Sequence, residues 1–355
     1  MKLFISAGGT GGHIFPGIAV AEAFSGLPGT NEAVFVGTPY GLESTLIPPY
    51  GYRLLFIKAR QFLGQSAVKK VGTLLAVVKG ILVALSMIRK EKPDAVLGMG
   101  GFTSVPVVLA AVLSGTPSFL HEQNVQPGLA NKILSRFTKG IFISFDETEQ
   151  YIKSKKVIHT GNPLRKRLTA AHEPKDELTF GIFVFGGSRG AHSINLSIIS
   201  LLPYLEGHDE VVIYHQTGPQ DYEMVKDAYE KSGVRHEVFP FTDAMEKYYG
   251  LSDVVISRAG ASTIFELAFF KKAAILIPYP YSAGGHQWKN ATYVENIGGG
   301  YVIGDDEATG ERLYQAVGHL MKEKGLISDM GVNIGRIYKD DAAEQIIRGI
   351  FHGIS

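Results

Sequence analysis

One pattern occurs twice in this chain and constrains its fold more than any other feature. Phe4-Ile5-Ser6-Ala7-Gly8-Gly9-Thr10-Gly11-Gly12-His13 is echoed by Phe183-Val184-Phe185-Gly186-Gly187-Ser188-Arg189-Gly190-Ala191-His192. Each is an apolar β-type run, a Gly-Gly pair, a small polar residue, a further glycine and then a helical pattern. A strand that ends in a glycine-rich turn and enters a helix opens a Rossmann-type unit. Two such openings imply two units.

The remaining pattern agrees. Leu3–Ala7, Ala33–Val36, Leu54–Ile57, Ala95–Gly98, Ser118–His121 and Gly140–Ile143 read as strands of the first half. Phe180–Phe185, Val211–Gln216, His236–Pro240, Val254–Ser257 and Ala274–Ile277 read as strands of the second. Runs apolar throughout, separated by helical stretches, are parallel strands covered on both faces. The expected fold class is therefore α/β, with two Rossmann-like, doubly wound parallel-sheet domains facing a cleft. The expected boundary lies near Gly161-Asn162-Pro163, giving domains 1–162 and 163–339.

Length and composition fit this: 355 residues, 45% apolar, 19% charged, is enough for two cores and excludes a disordered chain. With no Cys, disulfides, thiol catalysis and thiolate metal sites are excluded. The apolar run Leu3-Phe4-Ile5 is too short for a secretory signal. Residues 1–162 carry 16 Lys/Arg against 9 Asp/Glu, and residues 163–355 carry 19 against 25. A basic first half faces something anionic. The basic residues are not interleaved with aromatics, so an anionic lipid surface or a phosphorylated ligand is favoured over nucleic acid. Val71–Ile88 is apolar except for Gly72, Thr73, Lys79, Gly80 and Ser86. Lys79 near its middle and its place between strands of one sheet argue against a span. It reads either as a buried crossover helix or as one that also presents a face to a bilayer. In the second reading Lys69, Lys70, Lys79, Arg89 and Lys90 would edge that face.

Glycine-rich turns at helix starts favour phosphate, because backbone N–H groups and the helix dipole point at the ligand. Three occur: Gly8–His13, Gly98–Ser104 and Gly186–Gly190. They fit two diphosphate-bearing ligands, one per lobe, with Gly100, Gly101 and Thr103 of the second turn as candidates to hold one of the diphosphates. A dinucleotide fingerprint is incomplete: Ile14 takes the third glycine's place, and no acid is apparent near Val36-Gly37-Thr38. His13 is either a general base kept neutral by the helix dipole or a residue that only caps or binds phosphate. Arg258–Glu266 follows a strand and enters a helix, and Glu266 either accepts from ribose hydroxyls or complements that dipole. Gln287 either reads sugar hydroxyls or caps a helix. The acidic pairs Asp305-Asp306 and Asp340-Asp341 read as solvated, and no metal motif is apparent.

Five motifs occur in a telling order: Gly8–Pro16, His121-Glu122-Gln123-Asn124, Gly161–Arg165, Gly186-Gly187-Ser188-x-Gly190-Ala191 and Arg258-x-Gly260-Ala261-Ser262-Thr263. Together they resemble the bacterial undecaprenyldiphospho-muramoylpentapeptide β-N-acetylglucosaminyltransferases over nearly the whole chain. The resemblance implies a GT-B fold and inverting transfer of N-acetylglucosamine from UDP-N-acetylglucosamine to the 4-hydroxyl of lipid I, giving lipid II. It implies that the first domain faces acceptor and membrane, that the second binds the UDP-sugar, and that a helix within 340–355 packs back on the first. Thr10, Gly11, Gly12 and Asn124 match donor-contacting positions, and Arg165 and Ser188 match groups near the diphosphate. Thr242 matches a backbone contact to uracil. Arg258 and Ala261, Ser262, Thr263, Ile264, Phe265 and Glu266 match the nucleotide segment, with Glu266 on the ribose, and Gln287 matches an amide on the sugar. His13 matches the general-base candidate, with Glu122 as rival. No obligate cofactor is implied, with room for stimulation by a divalent cation. The implied place is the cytoplasmic face of the plasma membrane, with cell-wall synthesis and division proteins as candidate partners. Phe102 stands where the family has Tyr, Arg189 where it has Gln, and Gly284-Gly285 where acids are common. Other two-Rossmann enzymes remain alternatives: a lipid glycosyltransferase with a different acceptor, or a UDP-N-acetylglucosamine 2-epimerase.

Overall fold

The computed structural model describes residues 1–57, 67–154, 156–169 and 178–354, with backbone only for 67–75. The chain divides into two compact units, Met1–Lys166 with Lys339–Ser355, and Arg167–Tyr338.

The first unit runs β1 (Lys2–Ser6), α1 (Gly11–Ser25), β2 (Glu32–Gly37), α2 (Glu43–Leu46), β3 (Arg53–Phe56), α3 (Ala67–Glu91), β4 (Ala95–Gly98), α4 (Gly101–Ser114), β5 (Ser118–Glu122), α5 (Leu129–Leu134), β6 (Gly140–Ile143) and β7 (Val157–His159). Its sheet has the order β3-β2-β1-β4-β5-β6-β7, and every pairing is parallel. Alternate residues of each strand point to opposite faces. Leu3 and Ile5 of β1 join Phe35, Leu97, Phe119 and Phe142 in one core cluster, covered by Ile14, Ile18 and Phe24 of α1. Phe4 joins Val34, Val96, Leu120 and Ile141 in the other, covered by Ala84 and Ile88 of α3 and Val107, Val108 and Ala111 of α4. Both faces are covered by helices, as strands without polar alternation require.

The second unit runs β8 (Phe180–Phe185), α6 (His192–Leu205), β9 (Val211–Gln216), α7 (Tyr222–Ser232), β10 (Arg235–Phe239), α8 (Met245–Leu251), β11 (Val254–Ser257), α9 (Ala261–Phe270), β12 (Ala273–Leu276), α10 (His286–Asn296), β13 (Gly300–Val302), α11 (Gly310–Lys322) and α12 (Lys324–Gly335). Its parallel sheet has the order β10-β9-β8-β11-β12-β13. A final helix, α13 (Ala342–Ile354), belongs to the first unit. It lies close on the sheet because its glycines admit strand aromatics: a Cβ on Gly349 would stand 2.4 Å from the Phe142 ring, and one on Gly353 2.5 Å from Phe119. Phe351 packs against Phe24 of α1 at 6.4 Å between centroids.

Two short strands escaped the sequence reading. β7 and β13 each have only three residues and lie at sheet edges, where a short run carries no periodic signal. Among the described residues, no helix is long and apolar enough to cross a membrane. On α3, Val78, Leu82 and Val83 are exposed beside Lys79, whereas Ala84 and Ile88 face the core. Arg89 and Lys90 are exposed at its end, while Lys69 and Lys70 of the expected basic rim lie outside the described side chains.

Candidate functional site

Both sheets reverse their strand order at one point, between β1 and β4 in the first unit and between β8 and β11 in the second. In open α/β sheets, ligands bind beyond the carboxyl ends of the strands at this switch. The glycine-rich turns stand there: Gly8–His13 after β1, Gly98–Gly101 after β4, Gly186–Gly190 after β8 and Arg258–Ser262 after β11. None of the helices they open, α1, α4, α6 and α9, has a side chain capping its N-terminus. By contrast, Thr309 caps α11 by accepting Arg312 N–H. Uncapped first-turn N–H groups suit an anion.

In the first unit, His13 sits in the first turn of α1, between two glycine turns. Its Nδ1 lies 3.2 Å from Gly8 O and 3.3 Å from Thr10 Oγ1. A carbonyl oxygen only accepts, so the Gly8 contact puts the proton on Nδ1 and makes Nε2 the basic atom of the neutral ring. The Nε2 edge lies against Gly100, where a Cβ would stand 3.1 Å from Nε2. Gly100 and Gly101 have φ of +98° and +76°, and a Cβ on Gly101 would be 2.5 Å from Gly8 O. Both positions of this turn therefore need glycine for conformation and for closeness. Thr103 is not presented to solvent. It is fully buried, with Oγ1 unpartnered and pressed against Gly8, so its hydroxyl is not offered to a ligand outside the turn.

Glu122 is a buried carboxylate whose two oxygens are surrounded by donors. Oε1 accepts from Asn124 N (3.0 Å) and Nδ2 (3.2 Å), and Oε2 from Gly128 N (3.1 Å) and Asn131 Nδ2 (2.9 Å). Burial raises its pKa, opposed by those four hydrogen bonds. Its geometry is that of a clamp on the segment 124–131, including Asn124. His121 is buried and held down to about 4 by desolvation. Gln123 Nε2 lies 2.9 Å from its Nδ1, and its Nε2 lies 3.3 Å from Gly161 O. It is thus a neutral structural histidine. Arg165, expected beside a diphosphate, lies in the first unit, stacked 3.8 Å over Phe15 and donating to Tyr50 Oη at 3.0 Å. Phe15 in turn packs under Gly11, so this guanidinium stands beside the N-terminal turns of α1.

In the second unit, Ser188 is exposed at the tip of the Gly186–Gly190 turn. Gly190, at φ +77°, could not carry a side chain, since its Cβ would lie 1.9 Å from Thr217 O. Gln216, which the sequence reading did not single out, joins this turn to Thr242: its Nε2 donates to Gly187 O at 3.1 Å and its Oε1 accepts Thr242 N–H at 3.0 Å. The Thr242 amide is thereby already engaged. Glu266 is nearly buried in α9 and accepts from Tyr249 Oη at 2.8 Å. Ser262 Oγ, in the first turn of α9, is buried without a partner. Ala261, Ile264 and Phe265 are core residues of that helix, while Thr263 lies beside Gly260. Gln287 Oε1 accepts Tyr279 N–H at 2.9 Å, which tethers the Tyr279–Gly285 loop to α10.

Asp305 is not solvated as its sequence setting implied. It pairs with Arg258, and Ser193 Oγ bonds both, at 2.8 Å to Asp305 and 2.7 Å to Arg258. Arg258 also donates to Ile277 O at 3.1 Å and lies 5.5 Å from the Tyr279 ring. It therefore braces the turn that starts α9. The acid judged absent beyond β2 is present too: Glu43, five residues past Thr38, folds back onto the strand end and accepts Gly9 N–H at 3.2 Å. No group of three or more His, Asp or Glu able to hold a metal is found among the described residues.

Comparison with known proteins agrees with this arrangement. Residues 3–143 match the glycosyltransferase family 28 N-terminal domain and residues 181–346 the family 28 C-terminal domain. A protein of Geotalea uraniireducens (strain Rf4), named UDP-N-acetylglucosamine--N-acetylmuramyl-(pentapeptide) pyrophosphoryl-undecaprenol N-acetylglucosamine transferase, is 43% identical over 98% of this chain and 97% of its own. The crystal structure of Acinetobacter baumannii MurG superposes with a TM-score of 0.82 at 28% identity, covering 99% of both chains. A UDP-GlcNAc 2-epimerase from Neisseria meningitidis shares the fold alone, with a TM-score of 0.71 at 15% identity over 99% of this chain and 100% of its own. The chain belongs to glycosyltransferase family 28, among the UDP-N-acetylglucosamine--N-acetylmuramyl-(pentapeptide) pyrophosphoryl-undecaprenol N-acetylglucosamine transferases.

Proposed function

We propose that this protein moves N-acetylglucosamine from UDP-N-acetylglucosamine to the 4-hydroxyl of N-acetylmuramoyl-pentapeptide on undecaprenyl diphosphate, inverting the anomeric centre. The observation that carries the reading is full-length identity of 43% to a transferase so named. The geometry supports it. His13 Nε2 is the basic atom of a neutral imidazole, suited to take the acceptor hydroxyl's proton as it attacks. The departing UDP carries growing charge on its pyrophosphate, which uncapped helix N-termini stabilise without reorganisation. In this reading Glu266 accepts from ribose hydroxyls, Ser188 and Ser262 contact phosphate or ribose, Arg165 offsets phosphate charge and Gln287 reads the sugar. Thr10, Gly11, Gly12 and Asn124 border the sugar, and the Gly100-Gly101 backbone holds the acceptor diphosphate. Glu122 orders Asn124 and does not compete for the proton, because four N–H donors already occupy its oxygens.

The acceptor's polyprenyl chain stays in the bilayer, so the enzyme works at the membrane surface, on the cytoplasmic side where UDP-sugars are. Exposed Val78, Leu82 and Val83 beside Lys79 on α3 suit contact with anionic lipid. The test is UDP release from UDP-N-acetylglucosamine with and without lipid I. Release strictly dependent on lipid I is expected. Conversion of the UDP-sugar to its 2-epimer without lipid would overturn the reading.

A further inference from the structure

Glu43 lies outside every motif of the sequence, yet it is fully buried beside His13's turn. A Cβ on Gly37 would stand 2.5 Å from its Cγ, and one on Gly41 2.3 Å from its Oε2, so the side chain has room only because glycine stands at both places. Three donors meet it: Thr38 N–H and Thr38 Oγ–H, each at 2.7 Å from Oε1, and Gly9 N–H at 3.2 Å from Oε2. Among the described residues it makes no salt bridge. A buried carboxylate held by neutral donors alone is costly.

The Gly9 N–H belongs to the same planar peptide as the Gly8 carbonyl, and that carbonyl accepts His13 Nδ1–H at 3.2 Å. We infer that Glu43 is a positioning residue that acts on His13 through the Gly8–Gly9 peptide, as the carboxylate of an acid–histidine pair acts directly. Negative charge at the N–H end of the peptide draws electron density onto its oxygen and strengthens the bond to Nδ1–H. That fixes the tautomer with Nε2 basic, and it stabilises the imidazolium formed during turnover. The charge also offsets the α1 dipole, which disfavours a protonated ring at that place.

Other titratable groups near this ring do not supply the effect. His121 on β5 is buried and neutral, and Arg165 over Phe15 beside the first turns of α1 is a cation, so neither brings negative charge to the ring. Glu122 is sequestered by Asn124, Gly128 and Asn131, and the α4 turn offers only Gly100 and Gly101.

The inference rests on His13 being the base, and the test separates the two. Glu43→Gln keeps the shape and removes the charge. It should lower kcat about 10- to 100-fold, leave both KM values within about twofold, and move the acid limb of the kcat/KM–pH profile to lower pH. In His13→Ala it should cause no further loss. The His13 ring nitrogens, followed by long-range 15N–1H NMR, should shift from the Nδ1–H form toward a mixture. An unmoved acid limb and unmoved ring resonances, with the same fractional loss in His13→Ala, would overturn the inference in favour of a merely structural Glu43. Wild-type activity of Glu43→Gln beside an inactive His13→Ala would sink the inference and leave the base standing. Wild-type kcat in His13→Ala would sink the base itself. Should Glu43→Gln not fold, Thr38→Val keeps the carboxylate and removes one donor. Its acid limb should stay at or above the wild-type pH, and displacement to lower pH would contradict the inference.

Discussion

The two glycine turns that echo each other in sequence are stabilised by different chemistry. In the first, a buried carboxylate holds Gly9, and His13 bonds back to Gly8 with its ring against Gly100. In the second, the neutral amide of Gln216 holds Gly187, and the turn is locked by backbone crowding between Gly190 and Thr217. The histidine at the matching place, His192, is exposed and points to Asp221 at 3.0 Å. One architecture thus yields a turn built around a proton acceptor and a turn built around rigid backbone donors. Under the proposed function, the difference gives proton transfer to the first unit and nucleotide binding to the second.

The largest effect expected is on chemistry. His13→Ala should lower kcat about 10²- to 10⁴-fold with the donor KM little changed. Steady-state kinetics against both substrates checks this, and a large rise in donor KM would blur the contrast. Next is the backbone lock of the second turn. Gly190→Ala puts a Cβ into Thr217 O at φ +77° and should cost about 2–4 kcal/mol in urea unfolding. Gly187→Ala, where nothing stands within 4 Å despite φ +97°, should cost only about 1 kcal/mol. Equal costs would deny the crowding.

Glu266→Ala should raise the donor KM about tenfold, roughly 1.4 kcal/mol, with kcat nearly kept. Tyr249→Phe removes one hydrogen bond to Glu266 and should act the same way more weakly. The pH response offers a smaller contrast. Burial holds His121 near 4 in the first unit and His215 near 3 in the second, both below the ordinary 6.5. Below pH 6.5 the unfolded chain binds protons that the native one refuses, so stability falls as pH drops. The loss should level off near pH 4 for His121 and near pH 3 for His215. Urea midpoints between pH 7 and 4 should fall, with a shallower slope in His215→Gln. The smallest effect expected is that of His192→Ala, within about threefold of wild-type kcat.

The sequence was informative where the physics is local. Strands buried on both faces show as unbroken apolar runs, and each glycine turn shows beside its strand, so the two parallel sheets could be read directly. Edge strands β7 and β13 are too short to leave such a trace. Glu43 was hidden because its partners, Thr38 and Gly9, meet only once β1 and β2 pair. The two glycines that precede it, Gly37 and Gly41, were the available signal. Asp305 reads as a surface acid beside Asp306, and only the fold brings Arg258 to it across 47 residues. Thr103 and Arg165 show the converse: a motif names a residue type, but the turn decides whether it faces solvent, the core or an aromatic ring.

Equilibrium binding of UDP to His13→Ala and to Glu266→Ala tests the division of labour most directly. His13→Ala should bind UDP with the wild-type Kd while turning over at least a hundredfold more slowly, and Glu266→Ala should bind about tenfold more weakly. A tenfold loss of UDP affinity in His13→Ala with wild-type affinity in Glu266→Ala would contradict the account.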